Sequence, residues 1–404
     1  LQNSSFNTSS IGVNYISIVN ENIVWATAYD GSSSGNNIQE FTRTNNSGDT
    51  WNTGTIDISN TNLGISMIHA YDYNKAWLVA YPRAAGDTGG IFQTSDGGST
   101  WNRQDSASYD TSSSFANVVY FWDENIGFAQ GDPINGEFEL YVTSDGGNNW
   151  NLVPGTNIPN PLSGEYGYTR QIEVVGDNIW FTTNKGRIYH STNKGNNWLV
   201  YTSPISDFGS AEVNGNLSFS DDNNGIIVDN LGDVYRSTNS GVSWTQVSTS
   251  GVVYTGGLCF IEGTNIVYTT GSGSSFSNDG GYSWNAIDTS QHTYVDFINE
   301  QVGWSGSFTQ DALSGGIWKW NDSSLSSIDQ NEIVLNYFPN PVSDKLYINY
   351  INDINISVFD INGRKIFQTN RKTIDFSDFD YGIYLLHIKD IISNTYKVIK
   401  ILKK

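Results

Sequence analysis

The sequence predicts an all-β protein: a seven-bladed β-propeller over residues 1–322, then a small Ig-like β-sandwich over 337–404. Three observations lead there. An eight-residue phrase recurs six times, three short apolar runs precede each copy, and the charge balance changes near residue 336. No stretch of the first 322 residues carries a helical period.

The phrase reads TNNSGDTW (44–51), TSDGGSTW (94–101), TSDGGNNW (143–150), STNKGNNW (191–198), STNSGVSW (237–244) and SNDGGYSW (277–284). Every copy has Ser or Thr first, Asp or Asn third, Gly fifth and Trp eighth. The third positions are Asn46, Asp96, Asp145, Asn193, Asn239 and Asp279; the eighth are Trp51, Trp101, Trp150, Trp198, Trp244 and Trp284. Asp or Asn bonds its own backbone and Gly supplies positive φ, so each copy is expected to build a tight turn between strands. The Trp that follows offers a large apolar face to a neighbouring sheet. Runs such as SMIHAYD, AWLVAYP and IFQTS before the second copy read as strands. Four short strands in each repeat of this length are one propeller blade.

These repeats resemble the Asp-box, or BNR repeat, of sialidase-like propellers, and the resemblance covers residues 1 to about 320. A seventh unit, TYVDFINEQ, VGWSGSF and GIWKWND (293–322), lacks a box and offers three strands. Residues 1–10, LQNSSFNTSS, stand alone ahead of the first triplet, and they are expected to close the ring as the missing strand.

Residues 337–404 carry ten basic and seven acidic residues, against ten and 34 before them, and this break marks a domain boundary. Residues 323–336 read as a linker. The segment contains YFPNPVSDKLYI, ISVFDINGRKIF, IDFSDFDYGIYLLHIKD and YKVIKILKK. Together these resemble the type A C-terminal sorting domain of the type IX secretion system of Bacteroidota. The alternation in SVFDI, KIFQT and IYLLHI independently predicts a sandwich of roughly seven strands. The resemblance implies contact with the secretion machinery and export through the periplasm, followed by release or attachment at the outer-membrane surface. It leaves open whether the domain is cleaved. The start at Leu1 is consistent with a secretory signal peptide already removed.

Acids outnumber bases 41 to 20, for a net charge of −21, which argues against a nucleic-acid binder or adhesion to anionic membranes. No apolar stretch is long enough for a membrane helix. Cys259, the sole cysteine, lies in the apolar run GLCFI and reads as a buried, inert thiol.

In an Asp-box blade the box joins the third strand to the fourth. The opposite rim carries the second-to-third turns and the connections between blades, and in this fold family ligands approach that rim. Its loops are long and aromatic, including 80–90, 129–137, 151–170 and 199–214. Ligand-binding candidates are therefore Tyr81, Arg83, Asp132, Glu165, Tyr166, Tyr168, Arg170 and Asp207, with His292 and Tyr294 entering the seventh blade nearby. Aromatic rings beside Asp and Arg suit sugars. Each of these residues also has a plainer reading as a turn former or surface ion pair. His69 reads as a channel or core histidine, His190 lies on the box rim, and His387 belongs to the second domain. No zinc site or Cys–His nucleophile is indicated, no cofactor is expected, and the acidic turns SDDNNG (220–225) and DNLGD (229–233) could hold only structural calcium.

A sialidase needs an arginine triad and an Arg-Ile-Pro segment near its start, whereas the first arginine here is Arg43 and none has that context. The leading expectation is an exported propeller that binds glycans or another extracellular partner on its loop-rich rim. A glycoside hydrolase or polysaccharide lyase on the same scaffold is the alternative, and a protein-interaction or adhesion scaffold the third, because fold does not decide function.

Overall fold

A computed structural model describes residues 6, 8–32, 34–111, 113–311, 314–321, 335–361, 364–391 and 396–404. The chain forms two compact units, Leu1–Trp320 and Asn321–Lys404.

The first unit is a ring of antiparallel sheets. Blade 1 contains β1 (Ile11–Ile18), β2 (Val24–Asp30), β3 (Glu40–Thr44) and β4 (Asn52–Thr55). Blade 2 contains β5 (Leu63–Ala70), β6 (Ala76–Pro82), β7 (Gly90–Thr94) and β8 (Asn102–Arg103). Blade 3 contains β9 (Ala116–Phe121), β10 (Gly127–Ile134), β11 (Glu137–Thr143) and β12 (Trp150–Leu152). Blade 4 contains β13 (Gly167–Val175), β14 (Asn178–Thr183), β15 (Arg187–Ser191) and β16 (Leu199–Thr202). Blade 5 contains β17 (Gly215–Phe219), β18 (Gly225–Asp229), β19 (Val234–Ser237) and β20 (Thr245–Val247). Blade 6 contains β21 (Gly257–Phe260), β22 (Val267–Thr270), β23 (Ser274–Ser277) and β24 (Asn285–Asp288). Blade 7 contains β25 (Tyr294–Asn299), β26 (Val302–Asp311) and β27 (Ser314–Lys319).

The innermost strands touch in sequence, β1 to β5, β9, β13, β17, β21 and β25, and β25 returns to β1. The ring therefore closes on seven blades. Residues 1–5 and 7 of the expected closing segment lie outside the described residues. The rest of that segment is pinned to blade 7: Phe6 is buried with Trp304 and Ile317, and Thr309 Oγ1 donates to the Thr8 carbonyl. At the same seam β1 pairs with β26 through Gly12 and Phe308.

Within a blade, second strands such as AWLVA are buried on both faces, whereas the fourth strands of blades 1–6 are two to four residues long and largely exposed. Short, polar edges of this kind offer little template for pairing with another chain.

All six boxes sit between the third and fourth strands and share one hydrogen-bond set. In the second, Thr94 Oγ1 donates to Asp96 Oδ1, the Gly98 amide donates to Thr94 Oγ1, and the Thr100 amide donates to Asp96 Oδ1. The fourth repeats it through Ser191, Asn193, Gly195 and Asn197. The carboxyls of Asp96 and Asp145 are held below the usual range by hydrogen bonds from Thr100 and Asn149. Burial pushes Asp279 up, but hydrogen bonds led by Ser283 outweigh it and bring the group to about 2. Each box also donates an amide to its own blade's first-to-second turn: Ser47 to Asn22, Gly97 to Asn74, Gly146 to Asn125, Lys194 to Asp177, Ser240 to Asn223 and Gly280 to Asn265. Boxes and first-to-second turns thus share one rim, and the second-to-third turns and interblade loops occupy the other.

The box tryptophans wedge blades together. Trp101 meets Phe41 of blade 1, Trp51 meets Trp304 of blade 7, and Trp198 lies between Phe128 and Phe181. The indoles of Trp198, Trp244 and Trp284 donate to the glycine carbonyl of their own box. Those of Trp51 and Trp101 are buried with no partner among the described residues.

The second unit packs a sheet of β28 (Asn336–Phe338), β29 (Lys345–Asn349) and β32 (Thr373–Asp375) against β31 (Lys365–Thr369), β30 (Ile354–Asp360), β33 (Gly382–Asp390) and β34 (Tyr396–Lys403). Strict alternation in KLYIN and INISV buries Leu346, Ile348, Ile354, Ile356 and Val358 between the sheets. The linker expected over 323–336 lies outside the described residues except at its last two positions.

Trp198→Ala removes a buried interblade wedge and should cost about 3–5 kcal/mol in denaturant unfolding. A loss below about 1 kcal/mol would show that the box tryptophans do not hold the blades together.

Candidate functional site at the channel mouth

Seven inner strands cannot meet at a point, so they leave a cavity of about 430 Å³ on the ring axis. Alternate residues of each strand face it, among them Tyr15, His69, Tyr120, Glu173, Tyr294 and Asp296. On β13 the alternation breaks. Pairing to β14 is lost between Gly167 and Ile172, and within this bulge Arg170 adopts φ +66°. A left-handed arginine is strained by roughly 1–3 kcal/mol and persists only where its surroundings hold it. Here Arg170 Nη1 donates to the Asn14 carbonyl (2.7 Å) and to Asn14 Oδ1 (2.9 Å). Asn14 Nδ2 in turn donates to the carbonyls of Ile65 and Ser66. The side chain therefore crosses the axis from blade 4 to blade 1 and is braced by blade 2.

Arg170 lies toward the loop-rich rim. Tyr29 and Tyr81, at the ends of β2 and β6, flank it with Tyr15 and Tyr294. Among the described residues it makes no ion pair; burial lowers its pKa, and the phenols oppose that shift. Further along the channel, burial raises Glu173 to about 8, although the Phe219 amide and Ser218 Oγ both donate to its Oε1. Burial also raises Asp296 to about 6 and lowers His69, packed on Tyr120, to about 4. At neutral pH Glu173 is protonated and His69 uncharged, so the standing positive charge in the channel is that of Arg170.

Residues 336–403 match the family described as the secretion system C-terminal sorting domain, and residues 43–212 match the photosynthesis system II assembly factor YCF48. This is a BNR-type propeller with a type IX secretion tail. Two solved structures are similar to it in fold. YCF48 from Cyanidioschyzon merolae has a TM-score of 0.56 at 14% identity, over 79% of this chain and 98% of its own. YCF48 bound to D1 peptide has a TM-score of 0.54 at 15% identity, over 78% of this chain and 95% of its own. No curated protein matches the sequence. The sorting tail marks the chain for export to the cell surface. Among the described residues, no helix is long and apolar enough to cross a membrane.

On the propeller, the residues expected at the rim divide into groups. Tyr81 stacks on Phe115, and exposed Arg83 holds the neighbouring turn through Asn37 Oδ1 and the Gly35 carbonyl. Tyr166 and Tyr168 meet edge to face, and Tyr168 donates its hydroxyl to Asp207. Burial, then this bond, raises the Tyr168 pKa. Asp132, raised to about 6 by burial, accepts from Asn117 Nδ2 and the Gly167 amide at the start of the bulge. Glu165 and His292 turn inward instead. Glu165 is buried against Arg187 (3.0 Å) and Thr183, and His292 bonds Ser305 Oγ and Asp288. The acidic turn at Asp229, between β18 and β19 on the loop-rich rim, and that at Asp221, between β17 and β18 on the opposite rim, both close on their own amides. On that opposite rim His190 stacks on Trp180, and burial lowers its pKa to about 4.

Glu173, Asp296 and Tyr120 were not among the expected site residues. Their signal is a charged or phenolic side chain inside an innermost apolar run, as in QIEVV and TYVDFI. Folded Glu173 keeps its proton to about pH 8, whereas the unperturbed group releases it near 4.5. The folded state thus binds more protons across that window, and stability falls as pH rises through it. His69 acts in the opposite sense, but only between about 4 and 6.5. The melting midpoint should therefore drop between pH 6.5 and 8.5, and Glu173→Gln should flatten that drop. Equal slopes in the two proteins would remove Glu173 as its source.

Proposed function

We propose that the exported propeller is a binding module that takes an extracellular glycan on the rim opposite its boxes, at the mouth crossed by Arg170. The observation that carries this reading is the half-buried arginine itself, strained, braced by two blades and surrounded by phenols rather than carboxylates. Tyr166 and Tyr168 extend the aromatic surface on blade 4. Phenol rings beside polar groups fit the C–H faces and hydroxyls of sugars. That YCF48, a propeller of similar fold, has been solved bound to D1 peptide supports a binding role for such a scaffold. The sorting domain carries the propeller through the periplasm to the outer-membrane surface.

Incubation of the full chain with plant and algal polysaccharides should give binding without new reducing or unsaturated ends. Tyr166→Ala should weaken it about 3–10-fold, and Lys194→Ala, on the box rim, should leave it unchanged. Absence of binding across the panel, or equal losses in both variants, would sink the rim reading. In a host with type IX secretion, truncation after residue 336 should trap the propeller inside the cell envelope. Normal surface export of the truncated chain would overturn the role given to the tail.

A further inference from the structure

We infer that the channel mouth is an oxyanion subsite, in which the free edge of the Arg170 guanidinium receives one carboxylate or sulfate ester on an otherwise sparsely charged glycan. This rests on the rim-binding reading above and names the ligand chemistry of that site. Arg187 is matched by Glu165 at 3.0 Å and Arg103 by Asp105 at 3.1 Å, yet Arg170 has no carboxylate partner among the described residues of a chain with 41 acids. Arg43 and Arg236 also lack a carboxylate but lie over the rings of Tyr73 and Phe260, whereas Arg170 lines the axial cavity, where a counter-charge can enter from outside.

Both hydrogen bonds to Asn14 leave from Nη1, and among the described residues Nε and Nη2 donate to no protein atom. That pair of donors forms the fork that receives a planar carboxylate, or two oxygens of a sulfate, side by side. Its orientation is set before any ligand arrives, because Asn14 is tied to the carbonyls of Ile65 and Ser66.

A Cβ on Gly12 would meet the Tyr29 ring at 2.3 Å, and one on Gly64 would meet the Tyr81 ring at 2.3 Å. These glycines let the two phenols tuck against the innermost strands beside the guanidinium, where their hydroxyls can bond the remaining ligand oxygens. The net charge sets a limit on the ligand. A chain at −21 repels a dense polyanion over a Debye length, so the ligand is one that brings an isolated acid to the mouth.

Calorimetry on the full chain would compare a glucuronoxylo-oligosaccharide bearing one uronate, its methyl ester, the neutral xylo-oligosaccharide, and a singly sulfated galacto-oligosaccharide with its neutral counterpart. An acidic probe should bind about tenfold or more tightly than its neutral counterpart. Arg170→Gln should abolish that preference, so that acidic and neutral probes bind the variant equally. Whether the uronate or the sulfate gains more identifies the source of the oxyanion. Should Arg170→Gln fail to fold, the methyl ester makes the same test from the ligand side, and an undiminished affinity for it refutes the uronate arm. Equal binding of acidic and neutral sugars overturns the subsite while leaving the rim reading intact. Failure of every sugar to bind overturns the rim reading itself. Arg170-dependent binding of a peptide C-terminus with no sugar binding overturns the glycan assignment.

Discussion

A four-stranded blade has two broad faces and cannot bury either by itself. Every other feature of the propeller follows from packing seven such faces in a circle. Second strands are apolar on both sides because both sides meet a neighbouring blade; fourth strands are short and polar because they have no neighbour. Tryptophans that follow a tight turn supply the bulk that keeps blades in register, as Trp101 against Phe41 and Trp198 against Phe128 show. The axial space is what remains when seven inner strands converge, and it is lined both by core residues such as Phe219 and Val295 and by polar ones such as Glu173 and Asp296.

The same polar chemistry serves two purposes on the two rims. In the boxes every oxygen of the Asp or Asn that could meet a ligand is already engaged by a hydroxyl or amide one turn away. Arg170 is the reverse case: part of its hydrogen-bonding capacity is used to fix its position, and the rest faces the channel. Saturated groups hold the ring, and the uncommitted donors of Arg170 are the ones proposed to meet a ligand.

The parts of the fold that were legible in the sequence rest on local chemistry. A Ser/Thr–Asp/Asn–Gly–Trp turn needs those residue types wherever it stands, so six copies disclose six blades, and the seventh follows from its three strands. The C-terminal sandwich was legible through alternation within SVFDI, KIFQT and IYLLHI, and its sorting role only through the resemblance carried by its motifs. The candidate site was less so. Loop length and aromatic content pointed to Glu165 and His292, but their partners Arg187, Thr183 and Ser305 come from other strands, and no local signal foretells that such partners will consume them. Arg170 was chosen as one loop residue among several; its importance depends on Asn14, 156 residues earlier in the chain. Glu173 and Asp296 were missed because a charge in an apolar run looks like an interruption until the axis is known.

The bond from Arg170 to Asn14 joins blades that stand three places apart, on far sides of a seven-membered ring. Most propeller contacts act between neighbours and leave the diameter to the sum of many small angles. A strut across the axis acts on the diameter directly. Any spreading of blades 1 and 4 at that rim must lengthen the same Nη1 hydrogen bonds that aim the guanidinium. The calibre of the mouth and the aim of its cation are therefore one mechanical variable, set by a single side chain.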